Sequence, residues 1–166
     1  MNNYNFSIKC RQEFNVSSSI IWSIISKESN LDLYHPFCKK NDVISWKDDN
    51  HHDRLEYLNG VVLERKFTSW NKEKGYELNI GRKNGRHSHV SWTIENISEN
   101  KSALSIEVYP WMINQGNKVL QFFPFRLFVK PQLKSYLNSV LSGLKWHVEN
   151  NQITPKNHFG KLSWFS

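Results

Sequence analysis

The residues of this chain best suited to chemistry are its histidines, and two groupings concentrate them. His51, His52 and Asp53 form "HHD", and His87 and His89 flank a serine in "HSH". Strand residues at i and i+2 share a face and can share a metal ion. The HSH face continues into Ser91 and Thr93, an outward polar set, and no third ligand follows at a useful spacing. "KDDNHHD" reads as a solvated turn, so the expectation is no metal. His35 stands before Pro36 in "LYHPF" and is the one candidate catalytic residue. It reads either as an imidazole bonded to a loop carbonyl or as an acid–base group beside a ligand carbonyl. No G-x-S-x-G elbow, phosphate loop or dinucleotide glycine fingerprint occurs, so no cofactor is expected.

The elements that must position these side chains follow from periodicity. "NFSIKCRQEF" alternates Phe6, Ile8 and Cys10 against Ser7, Lys9 and Arg11, the period of a strand. Ser17 to Ser19 offer N-caps for a short helix through "IIWSIIS", and "NLDLYHPF" makes a second helical turn that Pro36 stops. From Asp42 the chain reads as successive strands. Asn59-Gly60 and Asn84-Gly85 each sit between alternating segments and predict two hairpins with type I′ turns. Leu133, Tyr136, Leu137, Val140, Leu141, Leu144 and Val148 then recur at three- and four-residue spacing, a long amphipathic helix from Pro131 to Asn150. Gly143 interrupts it, either for a close approach, for room, or through simple tolerance. No linker or repeat divides the 166 residues, so one domain covering 1–166 is expected, its tail from 151 docking back through Trp164 and Phe165.

Bulk properties narrow the function classes. Lys and Arg outnumber Asp and Glu by 22 to 15, a net charge of +7, but no compact basic cluster exceeds "GRKNGR". Nucleic acid is not an expected partner. Cys10 and Cys38 do not suggest a disulfide framework. The first ten residues lack the charged-then-apolar order of a signal peptide, and no apolar run approaches the roughly 20 residues of a membrane span, so a cytoplasmic protein is expected. The 7 Trp and 10 Phe are a heavy load for one small chain, suited to filling a core or lining a pocket.

The order of elements, the "VSSSIIW" entry to the first helix, "LYHPFCKKNDVISW" and "LNGVVLERKF" together resemble the START-like (SRPBCC) superfamily. It includes the Bet v 1 relatives and the bacterial polyketide cyclase/dehydrase and lipid-transport group. The resemblance covers essentially the whole chain and implies an α+β helix-grip fold. In that fold a curved antiparallel sheet of six or seven strands wraps the terminal helix and leaves a cavity. It implies no universal catalytic residue.

Alternation assigns the concave face. In "VVLERKFTSW" the polar set is Glu64, Lys66 and Thr68, so Leu63, Arg65 and Phe67 face inward. Tyr76, Leu78 and Ile80 follow on the next strand, then Val90, Trp92 and Ile94, then Leu104, Ile106 and Val108. A one-residue bulge would invert part of this assignment. Arg65 is the single charge on this face. It reads either as a structural salt bridge or rim residue, or as the anchor of a ligand carboxylate or phosphate.

The segment "KVLQFFPFRLFVKP" is the most apolar stretch, and Pro124 argues against one unbroken helix through it. Phe122, Phe123, Phe125 and Phe128 would cap the core or wall the pocket. Alternatively they dip into a membrane while Lys118, Arg126 and Lys130 meet anionic headgroups. The expected ligand-binding set is Arg65, Phe67, Tyr76, Leu78, Val90, Trp92, Ile106, Val108, Phe128, Tyr136 and Val140. The expected partner is a hydrophobic or amphipathic small molecule, lipid-like or polyketide-like, with a weak anionic membrane contact as an additional reading. The rival is a cyclase/dehydrase-type enzyme using the same cavity.

Overall fold

The computed structural model describes residues 6–47, 50–114 and 118–166, with 118 and 119 by backbone alone. Seven strands build one antiparallel sheet: β1 (Ile8–Phe14), β2 (Cys38–Lys47), β3 (Asn50–Tyr57), β4 (Val62–Asn71), β5 (Gly75–Gly81), β6 (His87–Ser98) and β7 (Lys101–Tyr109). Their spatial order is β1-β7-β6-β5-β4-β3-β2. Strands β2 to β7 thus form a meander of sequential neighbours. β1 closes the far edge against β7, with Ile8 opposite Val108 and Phe14 opposite Ser102. Between β1 and β2, α1 (Ser18–Ile25) and α2 (Leu31–Tyr34) carry the chain from one edge of the sheet to the other. A 3-10 turn (Trp111–Ile113) leads to α3 (Lys118–Pro124), a π-helical segment (Phe125–Val129) and α4 (Lys130–Asn150). This is the α+β helix-grip architecture, its core between the sheet and the helices.

Periodicity explains which residues face that core. Tyr76 and Leu78 on β5, Val90, Trp92 and Ile94 on β6, and Leu104, Ile106 and Val108 on β7 are all buried. A bulge of the kind that inverts such an assignment is present in β4. The pairing of β4 with β5 shifts between Phe67 and Ser69, so Phe67 and Trp70, an odd number of residues apart, join one aromatic cluster.

Three local expectations are corrected. "KDDNHHD" is not one solvated turn, because β3 already runs from Asn50. His51 and Asp53 are buried; the His51 ring stacks on Trp70 at 3.9 Å, and Asp53 finds Arg65. Asp48 and Asp49, read as part of that turn, lie outside the described residues. Both Asn-Gly hairpins form, but not with type I′ turns. Gly60 alone of those four residues takes a positive φ, at 83°. Finally, the break expected at Pro124 is present, since a short α3 ends there and the main helix starts at Lys130, but it takes the form of a π-helical segment and not of a turn. Two prolines, 124 and 131, flank the π-helical segment, where the Lys130 N–H reaches back five residues to the Phe125 carbonyl. The wider turn accommodates the hydrogen bonds that prolines cannot donate and keeps one helical course.

Gly143 marks the closest approach to α4. A Cβ there would lie 2.2 Å from the Tyr34 carbonyl oxygen and 3.1 Å from Pro36 Cδ. The end of α2 therefore presses directly on the helix backbone, and the Thr154 hydroxyl donates to the Gly143 carbonyl at 2.8 Å. Alanine would gain about 1 kcal/mol of helix propensity at an unconstrained position. Here Gly143→Ala is expected to lower stability by roughly 1–3 kcal/mol in urea unfolding, as overpacking does. A variant as stable as the parent would show that α2 can yield.

Candidate functional site

Between the sheet and α4 lies a cavity of about 660 Å³. The sheet supplies Leu78 from β5, Val90 and Trp92 from β6, and Ile106 and Val108 from β7. Tyr136 and Val140 close it from α4, one helical turn apart, and His35 and Arg65 also reach its wall. Apart from His35, which was the candidate catalytic residue of the "LYHPF" turn, these are the positions that strand alternation and helical spacing assigned to it.

Three expected residues lie elsewhere. Phe67 and Tyr76 belong to the aromatic cluster with Trp22, Trp46, His51 and Trp70, where Tyr76 stacks on Trp70 at 5.4 Å. The strand positions are inward, but that end of the sheet is filled by rings rather than left open. Phe128 is 67% exposed, because the π-helical segment turns Phe125 and Val129 inward instead.

The charge on Arg65 is already matched. Its guanidinium is 3% exposed and grips Asp53 with two parallel bonds, Nε to Oδ1 at 2.8 Å and Nη2 to Oδ2. Burial opposes the charged form, but Asp53 outweighs it and holds the Arg65 pKa above its ordinary value. Arg65 is thus a structural ion pair on the cavity wall. Asp53 was missed because it sat in a stretch read as a turn. The period-two run His51, Asp53, Leu55, Tyr57 was the available signal.

Beside this pair lies a polar corner made by three rings. The Phe37 N–H donates to His35 Nδ1 at 3.2 Å, so the neutral imidazole carries its proton on Nε2. Nε2 therefore donates to Tyr136 Oη at 2.9 Å. Tyr57 Oη lies 2.9 Å from the same oxygen. When Tyr57 donates, Tyr136 accepts two bonds, and its own proton is left for an acceptor in the cavity. None of the three titrates near neutrality. Burial, helped by Arg65 and Lys156, pushes His35 down to about 3. Burial also pushes Tyr57 up to about 12 and holds Tyr136 well above the usual phenol range. The corner offers fixed hydrogen-bond donors rather than a proton carrier.

The tail contributes a wall that the sequence did not assign to the site. Phe165 stacks on Tyr136 at 4.1 Å and lies 5.2 Å from Tyr57, and both Trp164 and Phe165 line the cavity. Asn59 Nδ2 anchors this end by donating to the Trp164 carbonyl at 2.8 Å. Arg82, Arg86, Trp111 and Met112 form another part of the lining, from the β5–β6 hairpin and the 3-10 turn. Among the described residues no group of three or more His, Cys, Asp or Glu is placed to hold a metal ion, and no helix is long and apolar enough to cross a membrane.

No family model and no curated protein matches the sequence. Solved structures do. A protein of the dynemicin biosynthetic locus superposes with a TM-score of 0.67 at 11% identity, over 91% of this chain and 50% of that one. A START superfamily protein from Mycobacterium smegmatis gives 0.63 at 12% identity, over 88% and 99% of the two chains. The Zhui aromatase/cyclase from Streptomyces sp. R1128 gives 0.62 at 9%, over 88% and 97%. This chain therefore shares the fold of START and aromatase/cyclase structures, while spanning half the length of the dynemicin-locus protein.

Two measurements test the site's electrostatics. Arg65→Met should cost about 3–5 kcal/mol in chemical unfolding by stranding Asp53, and adding Asp53→Leu should restore much of it. A double variant no better than the single would show that the pair does more than neutralise itself. The His35 pKa is depressed from 6.5 to about 3. The unfolded chain therefore binds a proton there that the folded chain refuses. Stability contributed by neutral His35 is complete above about pH 6.5 and declines as pH falls toward 3, by about 5 kcal/mol at most. His35→Gln should flatten that acid limb in unfolding curves, and an unchanged slope would place the proton uptake elsewhere.

Proposed function

We propose that this chain acts as a single START-like domain that binds a hydrophobic or amphipathic small molecule, lipid-like or polyketide-like, between its sheet and α4. The observation that carries this reading is the cavity itself. About 660 Å³ of mostly apolar space stays open in a protein otherwise packed with large rings. Burying an apolar ligand there is favourable by roughly 25 cal/mol per Å² before entropic costs. With Arg65 neutralised by Asp53, the polar corner presents uncharged donors, so the ligand's inner end is a carbonyl or hydroxyl oxygen bonded to Tyr136. The Arg65 guanidinium beside that corner is already matched by Asp53 and is not left for an anionic group.

A second reading, cyclase-type turnover of a polyketide-like substrate, is favoured by one feature. Tyr136, bonded by His35 and Tyr57, can donate to a carbonyl and stabilise enolate charge as it develops. The aromatase/cyclase among the structural neighbours agrees with it. Against it, none of His35, Tyr57 and Tyr136 has a pKa suited to abstracting a proton at neutral pH.

Nile red titration and native mass spectrometry of the purified chain test the binding reading. The parent should bind the dye and carry a discrete apolar adduct released by organic solvent. Val140→Phe, which fills the cavity from α4, should lose both while keeping its circular dichroism spectrum. A parent that is folded but binds neither dye nor adduct defeats the reading. Turnover of a polyketide-like substrate that falls in Tyr136→Phe would favour the second.

A further inference from the structure

The charge of this protein is distributed very unevenly. From Val108 to Val148 the sequence contains no Asp or Glu, and its charged residues are Lys118, Arg126, Lys130, Lys134 and Lys145. From Leu78 to Ile94 there is again no acid, while Arg82, Lys83 and Arg86 are present. All 15 acidic residues lie outside these two stretches. The fold brings the stretches together at one end of the cavity. The Arg86 guanidinium lies over the Trp111 ring at 5.5 Å, and the Trp111 N–H donates to Ser88 Oγ at 3.1 Å. Arg82, Arg86, Met112 and Val129 line that same end.

Beside the basic mouth is an apolar surface that the core does not use. Along α3 and the π-helical segment, Leu120 is 76% exposed, Phe123 67%, Leu127 63% and Phe128 67%. The same run buries Phe125, which packs at 4.8 Å on Phe6, and Val129, which reaches the cavity. Packing thus fixes which side faces out, and that side carries large apolar side chains. Arg126 sits over the Phe122 ring at 5.9 Å, holding a cation at the edge of this surface. Exposed apolar patches of this kind mark interaction sites.

Charge decides among occupants. A second copy in a symmetric dimer would set these acid-free stretches against each other, cation to cation. Single-stranded nucleic acid is bound by successive aromatic platforms, whereas here the exposed Phe123 and Phe128 are interleaved with Leu120 and Leu127, on which bases cannot stack. A helix with apolar residues outward and Lys and Arg at its flanks suits the plane of an anionic bilayer. We infer that this face docks the protein on anionic lipid membranes, with Leu120, Phe123 and Leu127 entering the acyl boundary and Arg82, Arg86 and Arg126 on the headgroups. Docking brings the cavity mouth to the bilayer. That ligand then passes between bilayer and cavity rests on the binding reading above; the docking itself does not.

Flotation with phosphatidylcholine vesicles, containing or lacking phosphatidylserine, tests this at low and high salt. The parent should float with phosphatidylserine vesicles at low salt, stay behind with phosphatidylcholine alone, and be released by salt. Phe123→Ser with Leu127→Ser should abolish flotation. Arg82→Glu with Arg86→Glu should weaken it by about fivefold or more for each cation removed. Nile red titration of Phe123→Ser with Leu127→Ser, neither of which lines the cavity, should match the parent, which separates loss of docking from loss of the cavity. Vesicle binding by a parent that does not take up Nile red would leave docking standing and remove the binding reading. No flotation with phosphatidylserine vesicles overturns the inference, and so does flotation undiminished in both variants. Self-association in sedimentation velocity, abolished by Phe123→Ser without any vesicle binding, would assign the face to a second copy instead.

Discussion

The structure depends on a helix held across a concave sheet at both ends and, along one side, against β1. Toward the C-terminal half of α4, Gly143 lets the Tyr34 carbonyl come so close that no side chain could intervene. At the other end, Phe125 of the π-helical segment is seated on Phe6, beside the first strand. Between these points α4 also packs on β1, where Cys10 Sγ reaches the Lys134 carbonyl at 3.8 Å, while Leu133, Tyr136, Leu137 and Val140 line the cavity. A cavity persists because these contacts fix the helix at its ends and along β1, and closing the space would require it to leave them. Ordinary cores collapse onto such gaps; this one is propped.

The rings divide the concave face into a filled part and an open part. Trp22, Trp46, His51, Phe67, Trp70 and Tyr76 pack edge to face and face to face at one end of β4 and β5. Toward the mouth, aliphatic residues and the two mouth arginines take over. The Asp53–Arg65 pair lies on the wall with its charges spent on each other, which keeps the interior electrically neutral. A neutral, apolar interior and a basic exterior around its mouth are two separate physical properties. The first concerns what can reside inside, the second what the surface meets on the way in.

The polar corner shows how burial sets a chemical role. His35, Tyr57 and Tyr136 are residue types capable of proton transfer, yet burial moves all three away from neutrality in the direction of their uncharged forms. What remains is orientation: a chain of hydrogen bonds that points one phenol. The tail reinforces this by stacking Phe165 on Tyr136. The backbone bonds from Thr154 to the Leu33 carbonyl and from Asn157 to the Pro36 carbonyl bind the same tail to α2.

The sequence by itself determined the order of the elements, the strand faces and the long helix, because these rest on local periodicity of two or 3.6 residues. Leu78, Val90, Trp92, Ile106, Val108, Tyr136 and Val140 could be placed on the cavity wall for that reason. Only the tertiary structure decided the rest, and each case turns on a distant partner. Asp53 is an inward strand residue because Arg65 lies across the ladder in the next strand. Phe67 and Tyr76 leave the cavity because Trp22 and Trp46, from other elements, complete their cluster. Phe165 enters it from the end of the chain, more than twenty-five residues after Tyr136. Phe128 turns outward because prolines and a widened helical turn reset the phase of the helix, which a fixed 3.6-residue period cannot anticipate.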